Sequence, residues 1–161
     1  MILGLNLAGF YVRAHKNRHE MNEEERLSTP FQVQREDTLV MFMRAKDDTA
    51  TAIQEAWAEF ERAVGLKGRK FFGTFDKETS EYRVCAQVKE GDNPTAHGFE
   101  VATIPGGAYL CTRLQGEPPA IYTKIRPAFE KMVTKAAVDS SRPSIEFYKS
   151  RDVIDLLLPI A

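Results

Sequence analysis

The sequence has few of the residues from which catalytic and metal centres are usually built. Two cysteines and three histidines stand among 161 residues, and no nucleophile and base share a recognisable catalytic pattern. Cys111 lies in a strand-like run without an evident histidine partner, which argues against a thiol enzyme. The ligand spacing of a zinc site and a glycine-rich phosphate loop are also missing. We therefore expect no metal and no cofactor.

An excess of charge of one sign and a long hydrophobic run are absent as well. The net charge is −1, so no basic surface attracts nucleic acid, and we expect no direct nucleic-acid binding. The apolar run over residues 1–12 is shorter than the roughly 20 residues that span a bilayer, and no positive segment precedes it. Cys85 and Cys111 are interpreted as small core residues rather than as a disulfide. These features predict a cytoplasmic protein that does not associate with membranes.

The first thirty residues differ in character from the rest of the chain. An apolar segment, 1–13, is followed by a charged segment, 15–26. His15 and His19 have the spacing of a helical metal site, but a charged, solvated segment is the interpretation that we favour. We expect residues 1–30 to form a leader, an extra strand or a linker, and residues 31–161 to form one domain.

Hydrophobic periodicity predicts a regular succession of strands and two helices after residue 30. Aromatic and β-branched runs predict strands over 31–35, 39–44, 71–76, 81–88, 99–104, 108–114, 144–148 and 153–159. Helical spacing of apolar residues predicts helices over 49–65 and 119–133, the first with Trp57 and Phe60 on its apolar stripe. Pro127 falls inside the second helix, which must therefore kink there or begin later.

The predicted elements form one unit that occurs twice. Residues 57–64 align with residues 126–133, and the two repeats extend over about 31–90 and 98–161. The register of this alignment makes Gly73 the counterpart of Glu146, and Phe75 the counterpart of Tyr148. The duplication predicts an α+β fold in which two β-α-β-β units share one antiparallel sheet. Both helices would lie on one face, with a ligand groove between them.

A carboxylate in the middle of a predicted strand is the most informative single residue. Residues 143–148 have strand composition, and alternation puts Glu146 and Tyr148 on the same face. Burying a charge costs several kcal/mol, roughly, unless it is compensated. The compensating partner is either an internal arginine, such as Arg44 or Arg113, or a positively charged ligand.

Five segments carry a resemblance to a known family: Phe71–Asp76, 82–86, 98–109, 143–148 and 155–160. In their order and spacing they resemble the gyrase-inhibitor-like (GyrI-like) small-molecule-binding domains. These domains also form the effector-binding halves of MerR- and AraC-type multidrug regulators. The resemblance covers about residues 31–161, and residues 1–30 are too short for a helix-turn-helix domain. We therefore expect a stand-alone member.

The resemblance implies an eight-stranded antiparallel sheet with two helices and a groove for bulky, often cationic aromatic compounds. By the same resemblance, Glu146 would contact the positive charge of the ligand, and Tyr148 and Tyr109 would be aromatic contacts. A haem-binding family shares the doubled fold, but the predicted groove elements carry no histidine.

Three further aromatic residues are candidates for the walls of the groove. Trp57 can pack in the core at one edge and line the groove at the other. For Tyr82 and Phe75 the sequence does not decide between packing in the core and lining the groove, because alternation does not reveal which face of the sheet carries the helices.

The favoured function is a binding module that captures hydrophobic aromatic compounds, cationic ones in particular. An alternative is an enzyme in which Glu146 acts as general acid or base to hydrolyse cyclopropane-bearing or similar electrophilic xenobiotics, as in one branch of the family. A further alternative is a protein-interaction role such as gyrase inhibition, with a homodimer or a protein partner.

Overall fold

The structure is a computed structural model that describes residues 29–161. Within these residues the chain forms eight strands and two α-helices. The strands are β1 (Phe31–Arg35), β2 (Thr38–Arg44), β3 (Phe71–Asp76), β4 (Glu81–Gln87), β5 (Glu100–Ile104), β6 (Gly107–Gln115), β7 (Ser144–Ser150) and β8 (Val153–Pro159). The helices are α1 (Ala50–Val64) and α2 (Ile125–Met132). Except for the last two residues, the predicted leader over 1–30 lies outside the described residues.

Local sequence signals set both ends of α1. The Thr49 hydroxyl accepts the backbone N–H of Ala52 at 3.3 Å, and Gly65 ends the helix at a φ of 71°. Its buried stripe includes Trp57 and Phe60. The observed bounds differ by one residue at each end from those that periodicity predicts.

The second helix is shorter than periodicity predicts, and it begins late enough for Pro127 to fall in its first turn. A 3₁₀ helix (Ala120–Lys124) precedes α2, which begins at Ile125. Pro127 is then the third residue of α2, in the first turn, where its missing N–H would have no intrahelical partner. Of the two possibilities left open by the sequence, the later start is the one observed. None of the helices in the described part of the chain is long and apolar enough to cross a membrane.

All eight strands join one antiparallel sheet in the order β1-β6-β8-β7-β3-β4-β2-β5. This confirms the predicted α+β class. The repeats meet at the centre, where β3 pairs with β7 and Gly73 lies directly opposite Glu146. Phe71 lies opposite Tyr148 and Phe75 opposite Ser144, as expected if a pseudo-two-fold axis passes between Gly73 and Glu146.

The first strand of each repeat pairs with the other repeat. β1 pairs with β6, and β5 pairs with β2. The connections β1–β2 and β5–β6 therefore pass close to each other, and the Gly106 N–H donates to the Asp37 carboxylate at 2.7 Å. A Cβ at Gly106 would lie 2.5 Å from the carbonyl oxygen of Arg35. This exchange of strands is not evident from the sequence, which predicts two units side by side.

The two faces of the sheet carry different cores. α1 packs on β2 and β4, and α2 packs on β6 and β8. Side chains of both helices join one buried cluster, so both lie on one face, here called the helix face. A second cluster on the opposite face includes Phe72, Tyr109 and Cys111. The sheet is curled around this second cluster, since Arg35 of the edge strand β1 lies 5.6 Å from the ring of Phe72 in central β3.

Candidate functional site

The central strands β3 and β7 form the floor between the two helices. α1 contacts β2 and β4 and α2 contacts β6 and β8, so β3 and β7 lie between the areas that the helices cover, where the duplication predicts a ligand groove. Tyr82 and Tyr148 belong to the helix-face cluster, whereas Ile145 belongs to the cluster on the opposite face. Alternation along β7 therefore turns Glu146 toward the helices.

Glu146 is the centre of a hydrogen-bonded group that we call the acid cluster: Glu146, Tyr148, Tyr82 and Trp57. The hydroxyls of Tyr82 and Tyr148 both donate to Oε1 of Glu146, at 2.8 and 2.7 Å. Trp57 Nε1–H donates to the Tyr82 hydroxyl at 3.0 Å. The indole ring also packs edge-on against Tyr148, with 5.2 Å between ring centroids. A chain of donors thus runs from α1 through β4 to the carboxylate.

Burial controls the protonation of this group. Trp57, Tyr82 and Tyr148 are 0%, 4% and 5% exposed, whereas Glu146 is half-buried. Loss of solvation raises the pKa of Glu146, and the hydrogen bonds from Tyr148 and Tyr82 oppose this shift. Burial, followed by the nearby Glu146 charge, raises the pKa of both tyrosines well above its usual value. Both phenols are therefore neutral donors, and the acid holds its proton more strongly than a carboxyl group in water.

The two arginines that the sequence offered as partners of Glu146 form ion pairs elsewhere. Arg113 binds Asp155 through two hydrogen bonds of 2.7 and 3.0 Å on the opposite face. Arg44 pairs with Glu81 and Glu100. Among residues 29–161, Glu146 forms no ion pair, and its hydrogen bonds all end on Oε1. The carboxylate is compensated by neutral donors alone, and its Oε2 accepts no hydrogen bond from the described residues.

Gly73 makes room for the acid cluster, and sequence reasoning gave it no role. A Cβ at this position would lie 2.1 Å from the Tyr82 hydroxyl oxygen and 2.8 Å from Oε1 of Glu146. Side chains larger than hydrogen would therefore displace the tyrosine or the acid. The available signal was the repeat register, which set Gly73 opposite Glu146.

The other two predicted contacts lie in different places. Phe75 is on the helix face, partly buried against the same cluster. Tyr109 is on the opposite face, where its hydroxyl donates to the carbonyl of Pro105 and the guanidinium of Arg142 lies 4.7 Å from its ring. The structure thus brings Glu146, Tyr148, Tyr82 and Trp57 together, and it does not bring Tyr109 to them. The sheet itself separates Tyr109 from the acid.

The opposite face has a cavity of its own. Its volume is about 160 Å³, and it is lined by Thr74, Asp76, Glu81, Arg83, Thr103, Pro105 and Pro143. Both cysteines are buried in the cluster on this face as free thiols. Burial raises the pKa of Cys85 to about 12 and that of Cys111 to about 11, so neither is a thiolate nucleophile near neutral pH.

No family model and no curated protein matches the chain. Solved structures do match. The integron cassette protein VCH_CASS2 from Vibrio cholerae has a TM-score of 0.66 and 14% identity, over 82% of this chain and 95% of that chain. SAV2435 bound to tetraphenylphosphonium has a TM-score of 0.56 and 15% identity, over 83% and 94%. A hydrolase from Listeria innocua has a TM-score of 0.50 and 10% identity, over 89% and 97%. Likenesses of this size show that these chains share a fold.

Proposed function

We propose that this protein captures hydrophobic aromatic cations in the groove between α1 and α2, with Glu146 as the counter-charge. The observation that carries the proposal is the electrostatic state of Glu146. The acid is half-buried, and within residues 29–161 it forms no ion pair and its Oε2 has no hydrogen-bond donor. A ligand cation would supply the missing compensation.

The surroundings of the acid suit such a ligand. Charge attraction is stronger in a site of low dielectric than in water. The rings of Trp57, Tyr148 and Tyr82 surround the acid, and Phe75 lies on the same face. Each aromatic face that meets the cation adds about 0.5–2 kcal/mol. One acid and several rings tolerate many ligand shapes, so we expect broad specificity.

The comparisons support the chemistry of this ligand class. A protein of the same fold binds tetraphenylphosphonium, which is an aromatic cation. Together with the segments that resemble GyrI-like domains, this favours a GyrI-like effector-binding role for the present chain. Tyr109, on the opposite face, would then contribute to the fold of the site rather than to its groove wall.

Fluorescence of the single tryptophan tests the proposal. Above the pKa of Glu146, we expect tetraphenylphosphonium to change Trp57 emission saturably. Tetraphenylborate, an anion of the same shape, should bind at least tenfold more weakly there because it meets the Glu146 charge. The Glu146→Gln variant should lose most of this discrimination. Glu81→Gln, which removes an acid from the opposite face of the sheet, should bind like the wild type. Equal affinity for both ions, or no effect of Glu146→Gln, would contradict the proposal.

Hydrolysis is a second candidate, favoured by one observation. Burial raises the pKa of Glu146, which is the property that a carboxyl group needs to act as general acid or base near neutral pH. The test is turnover of a cyclopropane-bearing alkylating compound, followed by chromatography. Turnover that Glu146→Gln abolishes would support the enzyme, and binding without turnover would support the capture module.

A further inference from the structure

The two tyrosines hold Glu146 asymmetrically. Both hydroxyls donate to Oε1, and no described residue donates to Oε2. Two donors already occupy Oε1, so a proton on this carboxyl group would be carried by Oε2. Oε2 is also the oxygen that remains available to a cation in the groove.

We propose that a proton and the cationic ligand are mutually exclusive at Glu146, so that the site exchanges one for the other. This inference rests on the proposed function and specifies its regulation. When a cation enters the protonated site, the O–H bond at Oε2 breaks and the proton leaves to the solvent. The carboxylate that remains balances the ligand charge, so the site is neutral before binding and neutral after it.

The tyrosine hydroxyls that donate to Oε1 make this exchange possible at a half-buried acid. Uncharged phenols stabilise the ionised acid without neutralising it, so the carboxylate keeps a full negative charge for the ligand. An arginine in their place would neutralise the acid permanently, as Arg113 does for Asp155 on the opposite face. The raised pKa of Glu146 is consistent with a proton that is present until a cation displaces it.

Few other titratable groups of the described residues face Glu146. From β4 and β7 these are Tyr82 and Tyr148, whose pKa values are raised well above the usual value. β3 presents Gly73, and β8 presents Leu156. From α1 the neutral Trp57 joins the acid cluster, and the buried acid Glu61 follows one turn later. Burial, followed by the negative charge of Glu61, raises the pKa of Tyr122, which is on the 3₁₀ helix before α2.

Exchange makes ligand selectivity depend on pH. Below the pKa of Glu146, each lower pH unit should raise the apparent Kd of a permanent cation about tenfold, because a proton must be removed first. Above this pKa the Kd should be constant. A neutral compound of similar shape binds without displacing the proton, so its Kd should not rise at low pH. The preference for cations over neutral aromatics is thus expected to increase with pH.

Calorimetry on the whole protein tests the exchange. Tetraphenylphosphonium has no titratable proton, so protons that appear on binding come from the protein. We would titrate it at pH 5, 6, 7 and 8, each in two buffers of different ionisation enthalpy. We expect the number of protons released per ligand to be largest at the most acidic pH and to fall toward zero as the pH rises through the folded pKa of Glu146. Triphenylphosphine oxide, a neutral probe, should release none.

Variants separate Glu146 from other sources of protons. Glu146→Gln should bind the cation with a pH-independent Kd and no proton release, whereas Glu61→Gln should keep the release. Tyr148→Phe removes one donor from Oε1, so the midpoint of the pH dependence should move to higher pH. This variant keeps the test decisive if Glu146→Gln does not fold.

The outcomes distinguish the two proposals. Cation binding with a pH-independent Kd and no released proton overturns the exchange and leaves the capture function standing. Absence of cation binding at every pH overturns both.

Discussion

At the scale of single residues, Glu146 and Asp155 are two acids in adjacent strands whose compensation differs. Asp155 is buried on one face and has a guanidinium partner. Glu146 is half-buried on the other face, and its hydrogen-bond donors within residues 29–161 are both phenols. A structural acid is expected to have a cationic partner, whereas an acid that binds a cation must do without one. The contrast makes the two residues a matched pair for mutation.

Replacing each acid by its amide should change stability in opposite directions. Glu146→Gln keeps an oxygen that accepts from both tyrosines and removes an uncompensated charge, so the free energy of unfolding should stay the same or rise by about 1 kcal/mol. Asp155→Asn leaves Arg113 without its counter-charge and should lower that free energy by about 1–3 kcal/mol, because Arg113 is partly exposed. Urea unfolding of both variants measures the two changes.

The Glu146→Gln effect should also depend on pH. The folded-state pKa of Glu146 lies above its ordinary value of 4.5, so the folded protein binds this proton more strongly than the unfolded chain does. Stability from this group is therefore present at low pH and is lost as pH rises from about 4.5 through the folded pKa. The difference in the free energy of unfolding between Glu146→Gln and the wild type should grow across that pH window and then stay constant. A difference that shrinks with rising pH would show that the carboxylate is compensated in the folded state.

At the scale of elements, the pairing of β3 with β7 depends on Gly73. Glycine in mid-strand usually weakens a strand, and Gly→Ala would ordinarily add about 0.5–1 kcal/mol of stability. Here the added methyl group would lie 2.1 Å from the hydroxyl oxygen of Tyr82. We expect Gly73→Ala to destabilise the protein by about 1–3 kcal/mol, as overpacking does, and to weaken cation binding.

A double-mutant cycle with Tyr82→Phe checks this explanation. Removing the hydroxyl also removes the shortest contact with the new methyl group, so the two changes should destabilise less together than the sum of their separate effects. The ring carbon Cζ would still lie 2.9 Å from the added Cβ, which limits the rescue to a partial one. Additive effects in thermal unfolding would mean that the methyl group is accommodated elsewhere.

The two helices differ in how well local sequence signals predict their boundaries. α1 follows its cap residues, Thr49 and Gly65, and was predicted within a residue. The sequence does not fix the start of α2, because Pro127 permits either a kink or a late start and propensity does not choose between them. In the structure the residues before α2, Ala120–Lys124, form a 3₁₀ helix. The choice belongs to tertiary packing, since Ile121 of that 3₁₀ helix is fully buried.

At the scale of the whole molecule, the sheet separates the helix face, which carries the acid cluster, from the face that carries the second core cluster. The cysteines, Tyr109 and the Arg113–Asp155 pair all belong to the face opposite the acid cluster. The two connections that exchange β1 and β5 between the repeats pass each other at Gly106. Because each repeat supplies an edge strand to the other half of the sheet, we expect the halves to unfold together.

Thiol labelling tests this cooperativity. Both cysteines are almost fully buried, and burial raises their pKa to about 12 and about 11. Neither should react with a disulfide reagent in the native state. Cys85 in β4 and Cys111 in β6 belong to opposite halves of the sheet, so equal protection against labelling is expected, with one free energy of opening for both. Single Cys→Ala variants would resolve the two rates, and a large difference between them would contradict cooperative unfolding of the halves.

Periodicity along the chain predicts the order of the elements, the duplication and the shared face of Glu146 and Tyr148, because each of these is a local pattern. The face that carries the helices follows from the three-dimensional packing alone, and so does the fact that Tyr82 and Trp57 join Glu146 whereas Tyr109 does not. The same packing also decides that Arg44 and Arg113 pair elsewhere, that Gly73 must lack a side chain, and that β1 and β5 exchange between the repeats. Each of these depends on strand pairing between residues far apart in the chain, and periodicity along one strand does not encode its neighbour.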